Sequence, residues 1–312
     1  MKVNLFSIGA MRAGSTSIYH FLDQHPEIYM SPIKEPYYFH AEFCRRRLVN
    51  ENDLSTEEYK CLTASINSGK YRTAEAYQSL FNKVEEHQYV GEASHYLHHP
   101  ATAQLIHEYN PNSKIIICLR NPIERIYSEY MLYVRDSKVS ITFDNFISKA
   151  IVWNKEKNIW NAAPISRLNK GFYSKQIIPW IEFFGVENVK IFLFEDMVGD
   201  PAEFCRKLYS WLGVDMAFQP VPIHAQASGK PISSKIMKGL NTDNFVKRNL
   251  KRIMPHSTRI KLRYYAYKFF LKREKMSNEV SIILHDIYKD EIDRLEEMIS
   301  RDLSAWKKTR LC

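Results

Sequence analysis

The sequence predicts an α/β fold: a mostly parallel sheet flanked by helices on both faces, with a helical C-terminal third. Three observations carry this. Apolar runs of strand length alternate with segments of helical periodicity, the order that builds a parallel sheet. In SKIIICLRNP the positions Ile115 to Leu119 are all apolar, and a strand that apolar is covered on both faces. The first such run, Val3 to Gly9, passes through a glycine-containing turn straight into a helix from Ser15 to Gln24.

The other elements follow in order. YVGEASHYL gives a short strand ending near Glu92, and Pro100 suits the first turn of a helix reaching Tyr109. Asn121-Pro122 stops the Ile115 strand, and Ile123 to Val134 is helical. FYSKQIIPWIEFFG predicts a helix broken or kinked near Pro179 and ended by Gly185. NVKIFLFEDM predicts a buried strand, and DPAEFCRKLYSWLG a capped helix after it. The last helix, about Glu279 to Arg301, is amphipathic and rich in acids. Repeats, low-complexity stretches and linkers are absent from the sequence, so residues 1–312 are expected to form one domain. Its α/β core covers about 1–225 and its basic helical part about 226–312.

Composition narrows the class. With 312 residues and 45% hydrophobic content, the chain can bury a large core. The sequence holds no run of eighteen apolar residues, so no membrane span is expected. Met1 to Leu5 leads directly into the first strand, which leaves no room for a signal peptide. The five cysteines are scattered without paired spacing, against both a disulfide framework and a zinc site. The expectation is a cytoplasmic protein in a reducing compartment, without a metal. The net charge of +9 is uneven: Lys230 to Lys275 holds fourteen Lys or Arg against Asp243 and Glu274. Such a run is most simply a solvated helical face, though it also fits a nucleic-acid patch, a membrane surface or a wall for an anionic ligand.

The turn after the first strand is the most informative stretch. In LFSIGAMRAGSTSIYHFL, Gly9 and Gly14 have the spacing of a Walker phosphate loop, making this region P-loop-like. Backbone N–H groups of a first helical turn point at whatever lies before them, and the helix dipole favours an anion there. Ser15, Thr16 and Ser17 add hydroxyls. Ser15, however, replaces the lysine that reaches the terminal phosphates of ATP or GTP, and the cation has moved inside the loop to Arg12. A second signal, LRNPIERIYSEY, ends the best strand in Arg120 where a Walker enzyme has a magnesium-holding Asp, and places Arg125 and Ser128 on the next helix. Two anion sites on one sheet, with no metal ligand between them, suit a nucleotide phosphorylated at both ends of its ribose.

At these residues the chain resembles the PAPS-dependent sulfotransferases, PAPS being 3′-phosphoadenosine 5′-phosphosulfate. It is most similar to the bacterial members and the related heparan sulfate sulfotransferases. GAMRAGSTSIYHFL is similar to the family's 5′-phosphosulfate loop and RNPIERIYSEY to its 3′-phosphate motif. KEPYYF, GFYSKQIIPWIEFF, FLFEDMVGDP and DEIDRLEEMISRDLSAW extend the likeness over nearly the whole chain. The resemblance implies that Arg12, Ala13, Gly14, Ser15, Thr16 and Ser17 contact the 5′-phosphosulfate. Arg12 stands where the family usually carries lysine; arginine keeps the charge and changes the geometry. Arg120 and Ser128 would bind the 3′-phosphate, Tyr173 would lie near the adenine, and Ser228, Gly229 and Lys230 would belong to a late loop closing over the nucleotide. PAPS would be the co-substrate.

Sulfonyl transfer to a hydroxyl needs a base. Glu35 in IKEPYYF matches the glutamate base of the heparan sulfate branch. His95 in GEASHYL lies where cytosolic members carry a lysine–threonine–histidine stretch, with Ala93 in place of the lysine. Glu35 precedes Pro36, which biases its backbone to an extended form. His40 is a weaker third candidate, and His98 and His99 read as residues leading into the following helix. The aromatics around these motifs read mainly as core. The expected activity is sulfonate transfer from PAPS to a hydroxyl, or an amine, of a small acceptor such as a secondary metabolite. The alternatives are a sugar or polysaccharide acceptor, a P-loop kinase using FLFED as a Walker B strand, and a nucleic-acid-binding protein using the basic segment. No nucleic-acid partner is expected, and the sequence leaves oligomeric state and acceptor open.

Overall fold

A computed structural model describes residues 2–48, 69–136, 139, 141–156, 167–221, 230–231, 271–272 and 276–308. The chain forms two compact units, one of residues 1–120 and 172–221, the other of residues 121–171 and 222–312.

The first unit carries a five-stranded parallel sheet: β1 (Leu5–Gly9), β2 (Ile28–Met30), β3 (Tyr89–Ala93), β4 (Lys114–Leu119) and β5 (Val189–Leu193), in the order β2-β3-β1-β4-β5. All five β1 residues are buried, as are Ile115 to Leu119. Each leucine, isoleucine or phenylalanine among them is worth roughly 1.5–3 kcal/mol relative to exposure, which is why these two runs were the most legible strands. Alternation sends Leu5, Ile116 and Cys118 to one face, against α1 (Ser15–Asp23) and the Phe204–Leu212 stretch of a later helix. On the opposite face Phe6 meets Phe39 of α2 (Tyr38–Leu48) edge-on at 5.7 Å. That layer continues through α3 (Ala74–Gln78), α4 (Thr102–Tyr109) and the helix Tyr173–Phe184. Helices therefore flank the sheet on both faces, as expected.

The chain leaves β1, crosses to the sheet edge at β2, returns to β3 beside β1, and then adds β4 on the other side of β1. The direction of winding reverses at β1, so a crevice opens beyond its C-terminal end. Open α/β sheets bind ligands at such switch points, and here that end is the glycine turn.

In the second unit, α5 (Pro122–Arg135) starts on Asn121, whose side chain accepts from the N–H groups of Ile123 and Glu124. After α5 comes α6 (Phe143–Glu156). In the first unit the Tyr173–Phe184 helix, α7, runs through Pro179 as one helix, so of the two expectations there, a break or a kink, the break does not occur; Gly185 ends it, as expected. Proline forfeits one backbone donor, and the buried Tyr173, Ile177, Trp180 and Phe184 along one stripe outweigh that loss. Strand β5 stops at Leu193, and FEDM, read as its continuation, forms α8 (Phe194–Gly199). Asp200 then caps α9 (Pro201–Leu212) through Glu203 N–H, as predicted. The second unit resumes with the short antiparallel pair β6 (Lys230–Pro231) and β7 (Leu271–Lys272), α10 (Asn278–Ile299) and α11 (Ser304–Lys307). β6 packs against α5. Ser228, Gly229 and nearly all of the basic segment lie outside the described residues. No helix among the described residues is long and apolar enough to cross a membrane.

Candidate active site

The turn beyond β1 is built for close approach. Gly14 is the N-cap of α1 with φ 90°, and no side chain caps the helix. The first helical bonds run from Ser17 and Ile18 N–H to Gly14 O, at 2.9 and 3.1 Å. The N–H groups of Gly14, Ser15 and Thr16 therefore precede the helical ladder and have no intrahelical acceptor. A Cβ on Gly14 would fall 2.3 Å from the Met197 Cε methyl and 3.0 Å from Phe194 Cδ2 of α8, so Met197 would have to swing away, and the φ of 90° strains any residue but glycine. Ala10 N–H donates to Cys118 O at 2.7 Å and Ala13 N–H to Ala10 O at 3.2 Å, which folds the loop back on β4. Ala13 is fully buried, whereas Arg12 is half-buried. Arg12 sits at φ 69°, a left-handed conformation that non-glycine residues adopt mainly where surroundings impose it.

Arg120, leaving β4, converges on the same loop. Its Nη1 donates to Arg12 O at 3.3 Å, and its guanidinium lies over the Phe194 ring at 4.6 Å. Tyr173, fully buried, donates its hydroxyl to Arg120 O at 2.8 Å. The two arginines singled out in separate motifs thus stand together at one end of the sheet. An uncapped helix N-terminus and a glycine cradle, on a loop that carries Arg12 and is met by Arg120, form a setting suited to an anionic group. Ser128 is buried within α5, in the second unit, and β6, which carries Lys230, packs on that helix. Arg125, also in α5, is fully buried and pairs with Glu129 at 2.8 Å, while Lys170 reaches the same carboxylate at 3.3 Å.

The two candidate bases touch. His95 Nε2 lies 3.1 Å from Glu35 Oε1. Lys34 Nζ contacts that oxygen at 2.6 Å, and Tyr37 donates its hydroxyl to Oε2 at 3.2 Å. A carboxylate only accepts, so His95 Nε2 carries the proton in this pair. Ser94 N–H donates to Ser7 O and Leu97 N–H to Ile8 O, at 3.1 and 2.9 Å, so the His95 segment runs along the end of β1. A Cβ built on Gly9 would be 3.9 Å from His95 Nδ1. The pair therefore borders the start of the glycine loop.

Glu35 is not extended, in contrast to the expectation from Pro36. Its φ is 63° and that of Tyr37 is 55°. Glu35 N–H donates to Ala93 O at 2.8 Å and Tyr37 N–H to Ser94 Oγ at 3.3 Å. These bonds wrap the segment around the end of β3 and override the local proline bias. Partial burial would raise the Glu35 carboxyl, but the hydrogen bond and charge of His95, with Lys34, hold it well below the usual carboxylate range. Behind this segment Glu92 is completely buried, and burial pushes its carboxyl up to about 7. Tyr96, Tyr77 and Ser94 oppose that rise, although none is aligned to close a hydrogen bond on either oxygen. His40 packs against His99 with ring centroids 4.1 Å apart and the planes tilted by 39°, apart from these contacts.

The pairing of Lys34 with Glu35 could be read from their adjacency, but Tyr37 as a partner of Glu35, Phe194 and Met197 against Gly14, and Gln176 beside His98 went unrecognised in the sequence. Tyr37, two residues from Glu35, carried a local signal, whereas the others approach through the fold.

The profile of the sulfotransferase family matches residues 4–219. Carbohydrate sulfotransferase 15 of Homo sapiens is 25% identical over 251 residues, covering 68% of this chain and 44% of that protein. A membrane-associated sulfotransferase, kil1, of Dictyostelium discoideum is 30% identical over 128 residues, 41% of this chain and 22% of that protein. The chain spans less than half the length of these curated relatives. The crystal structure of a sulfotransferase from Alicyclobacillus acidocaldarius aligns with TM-score 0.67 and 27% identity, over 99% of this chain and all of that one. With the glycine turn, Arg12 and Arg120, and the Glu35–His95 contact at one end of the sheet, and a family profile spanning all three, the chain belongs to the sulfotransferase family.

Proposed function

We propose that this protein transfers a sulfonate group from PAPS to a hydroxyl of a small acceptor molecule, with Glu35 as general base. The observation that carries this is the contact between Glu35 and His95 at the start of the glycine loop, the loop that holds Arg12 and whose Arg12 carbonyl is reached by Arg120. PAPS supplies the sulfonate and leaves as adenosine 3′,5′-bisphosphate. Arg12 and the N–H groups of Gly14 to Thr16, with the hydroxyls of Ser15 to Ser17, hold the 5′-phosphosulfate and stabilise charge on the bridging oxygen. The sequence motif assigns the 3′-phosphate to Arg120 and Ser128, the adenine side to Tyr173, and the closing loop to Ser228, Gly229 and Lys230.

Glu35 is the more exposed member of the pair, with 35% of its side chain accessible against 12% for His95. His95 Nδ1 is buried. Glu35 therefore faces the acceptor and takes its proton as the oxygen attacks sulfur, while His95 and Tyr37 hold the carboxylate from behind. Kept ionised, Glu35 is in its accepting form throughout the neutral range.

A sugar hydroxyl is the second reading for the acceptor, favoured by the likeness to carbohydrate sulfotransferase 15. The test begins with thermal shift: adenosine 3′,5′-bisphosphate should raise the melting temperature and ATP with magnesium should not. Incubation with PAPS, metabolite extracts and a glycan panel, with and without a chelator, should then yield products heavier by one sulfonate. Stabilisation by ATP alone, or turnover that requires magnesium, would overturn the reading.

A further inference from the structure

Two adjacent residues of the glycine loop are tied by one circuit of hydrogen bonds. Met11 N–H donates to His98 Nε2 at 3.4 Å. His98 Nδ1 lies 2.9 Å from Gln176 Oε1, and Gln176 Nε2 donates to Phe172 O at 2.9 Å. The next residue, Tyr173, donates to Arg120 O, and Arg120 Nη1 returns to Arg12 O. The circuit closes through the Met11–Arg12 and Phe172–Tyr173 peptide bonds.

The chemistry of this circuit fixes the protons. The amide nitrogen of Gln176 is engaged by Phe172 O, so the atom facing the imidazole is an oxygen, which only accepts. Nδ1 of His98 therefore carries the hydrogen. Met11 N–H is a donor, so Nε2 must offer its lone pair. Only the neutral Nδ1–H tautomer meets both demands. The side chains that impose it are buried: His98 is 3% exposed and Gln176 5%. A histidine placed just before a helix has thus become the floor of the loop, held from α7. The Met11 N–H is engaged within the protein, which limits the loop conformations available. A loop already in its binding geometry loses less entropy when the ligand arrives.

We propose that His98 is a positioning residue for the phosphosulfate loop: held by Gln176 as the Nδ1–H tautomer, it anchors Met11 so that Arg12 and the N–H groups of Gly14 to Thr16 face the nucleotide. The proposal rests on the loop assignment made above.

The test uses the full chain with His98→Phe, His98→Gln, Gln176→Leu and the double variant His98→Phe/Gln176→Leu. Imidazole nitrogen chemical shifts of the wild type should report the Nδ1–H tautomer. Hydrogen exchange at the Met11 amide, read without ligand, should quicken about tenfold in His98→Phe while β4 amides keep their rates. Calorimetry with adenosine 3′,5′-bisphosphate should show affinity about three- to tenfold weaker in His98→Phe, the loss expected for one neutral hydrogen bond. His98→Gln, whose amide oxygen can accept from Met11, should recover part of it. Gln176→Leu should lose less, and nothing further on top of His98→Phe. An Nε2–H tautomer, or unchanged Met11 exchange in His98→Phe, would overturn the proposal. Should His98→Phe fail to fold, the exchange and affinity of His98→Gln and Gln176→Leu decide it, and wild-type values in Gln176→Leu count against it. Failure of the wild type to bind the nucleotide would defeat the loop assignment instead, leaving tautomer and exchange to judge the anchor.

Discussion

Glu92→Gln should make the protein more stable as the pH rises. Glu92 is completely buried on β3, and burial moves its carboxyl from an ordinary 4.5 to about 7. The folded state then holds a proton that the unfolded chain releases between those two values. Stability falls with pH wherever the folded state binds more protons. The group costs nothing below the unfolded value, and its penalty grows through the window from 4.5 to about 7 and is constant above it. From these two values the penalty is about 1 kcal/mol at pH 5 and on the order of 3 kcal/mol at pH 8. Glutamine has nearly the same shape and no such penalty. Its own packing and hydrogen-bond changes are independent of pH, so the quantity to read is a slope. Urea unfolding of wild type and variant from pH 5 to pH 8, followed by tryptophan fluorescence, cancels every other titrating group in the difference. The stability difference should move in favour of Glu92→Gln by roughly 2–3 kcal/mol across that range. A constant difference would show that Glu92 does not change its proton affinity on folding, and the reasoning from its burial would fall.

Four further outcomes follow from the site. Arg120→Ala should cost roughly 2–5 kcal/mol in affinity for adenosine 3′,5′-bisphosphate, towards the lower end because the side chain is half-buried; equal calorimetric affinity of variant and wild type would remove Arg120 from the 3′-phosphate. Glu35→Gln should lower turnover about 10²–10⁴-fold with nucleotide affinity near wild type, and His95→Ala should cost less. Because Glu35 is held below the usual range, its ionised form is lost only as pH falls through that lowered value. Wild-type turnover should therefore show no acid limb from this carboxylate above about pH 4, and such a limb that vanishes in Glu35→Gln would contradict the pairing. Gly14→Ala places a methyl at φ 90° against Met197. It should lose about 1–2 kcal/mol of stability from the backbone alone and weaken nucleotide binding, and a melting temperature equal to wild type would refute the cradle.

Adjacency along the chain was enough to reveal the sheet and the glycine turn after β1. Ile115 to Leu119 could be read as a strand because five successive apolar side chains have few places to go but a layer covered on both sides. Gly9, Arg12 and Gly14 could be read as an anion loop because the strand, turn and helix that build it are contiguous. The same locality led to the error at FEDM and to the break allowed for at Pro179. There the neighbouring residues favoured one conformation, and packing in the folded chain imposed another.

What the chain could not disclose locally was which residues meet. Glu35 and His95 are sixty positions apart in sequence, and two rival bases became one contacting pair only when β3 carried His95 along the end of β1. The left-handed turn at Glu35 arises from bonds to Ala93 and Ser94, so the local bias before Pro36 pointed the wrong way. His98 offered no sign of its role, since its partners Met11 and Gln176 come from opposite ends of the first unit's sequence. Contiguous sequence specifies backbone geometry and burial. Charge pairing, proton affinity and the choice of tautomer depend on distances between remote atoms, and those distances exist only once the sheet has closed.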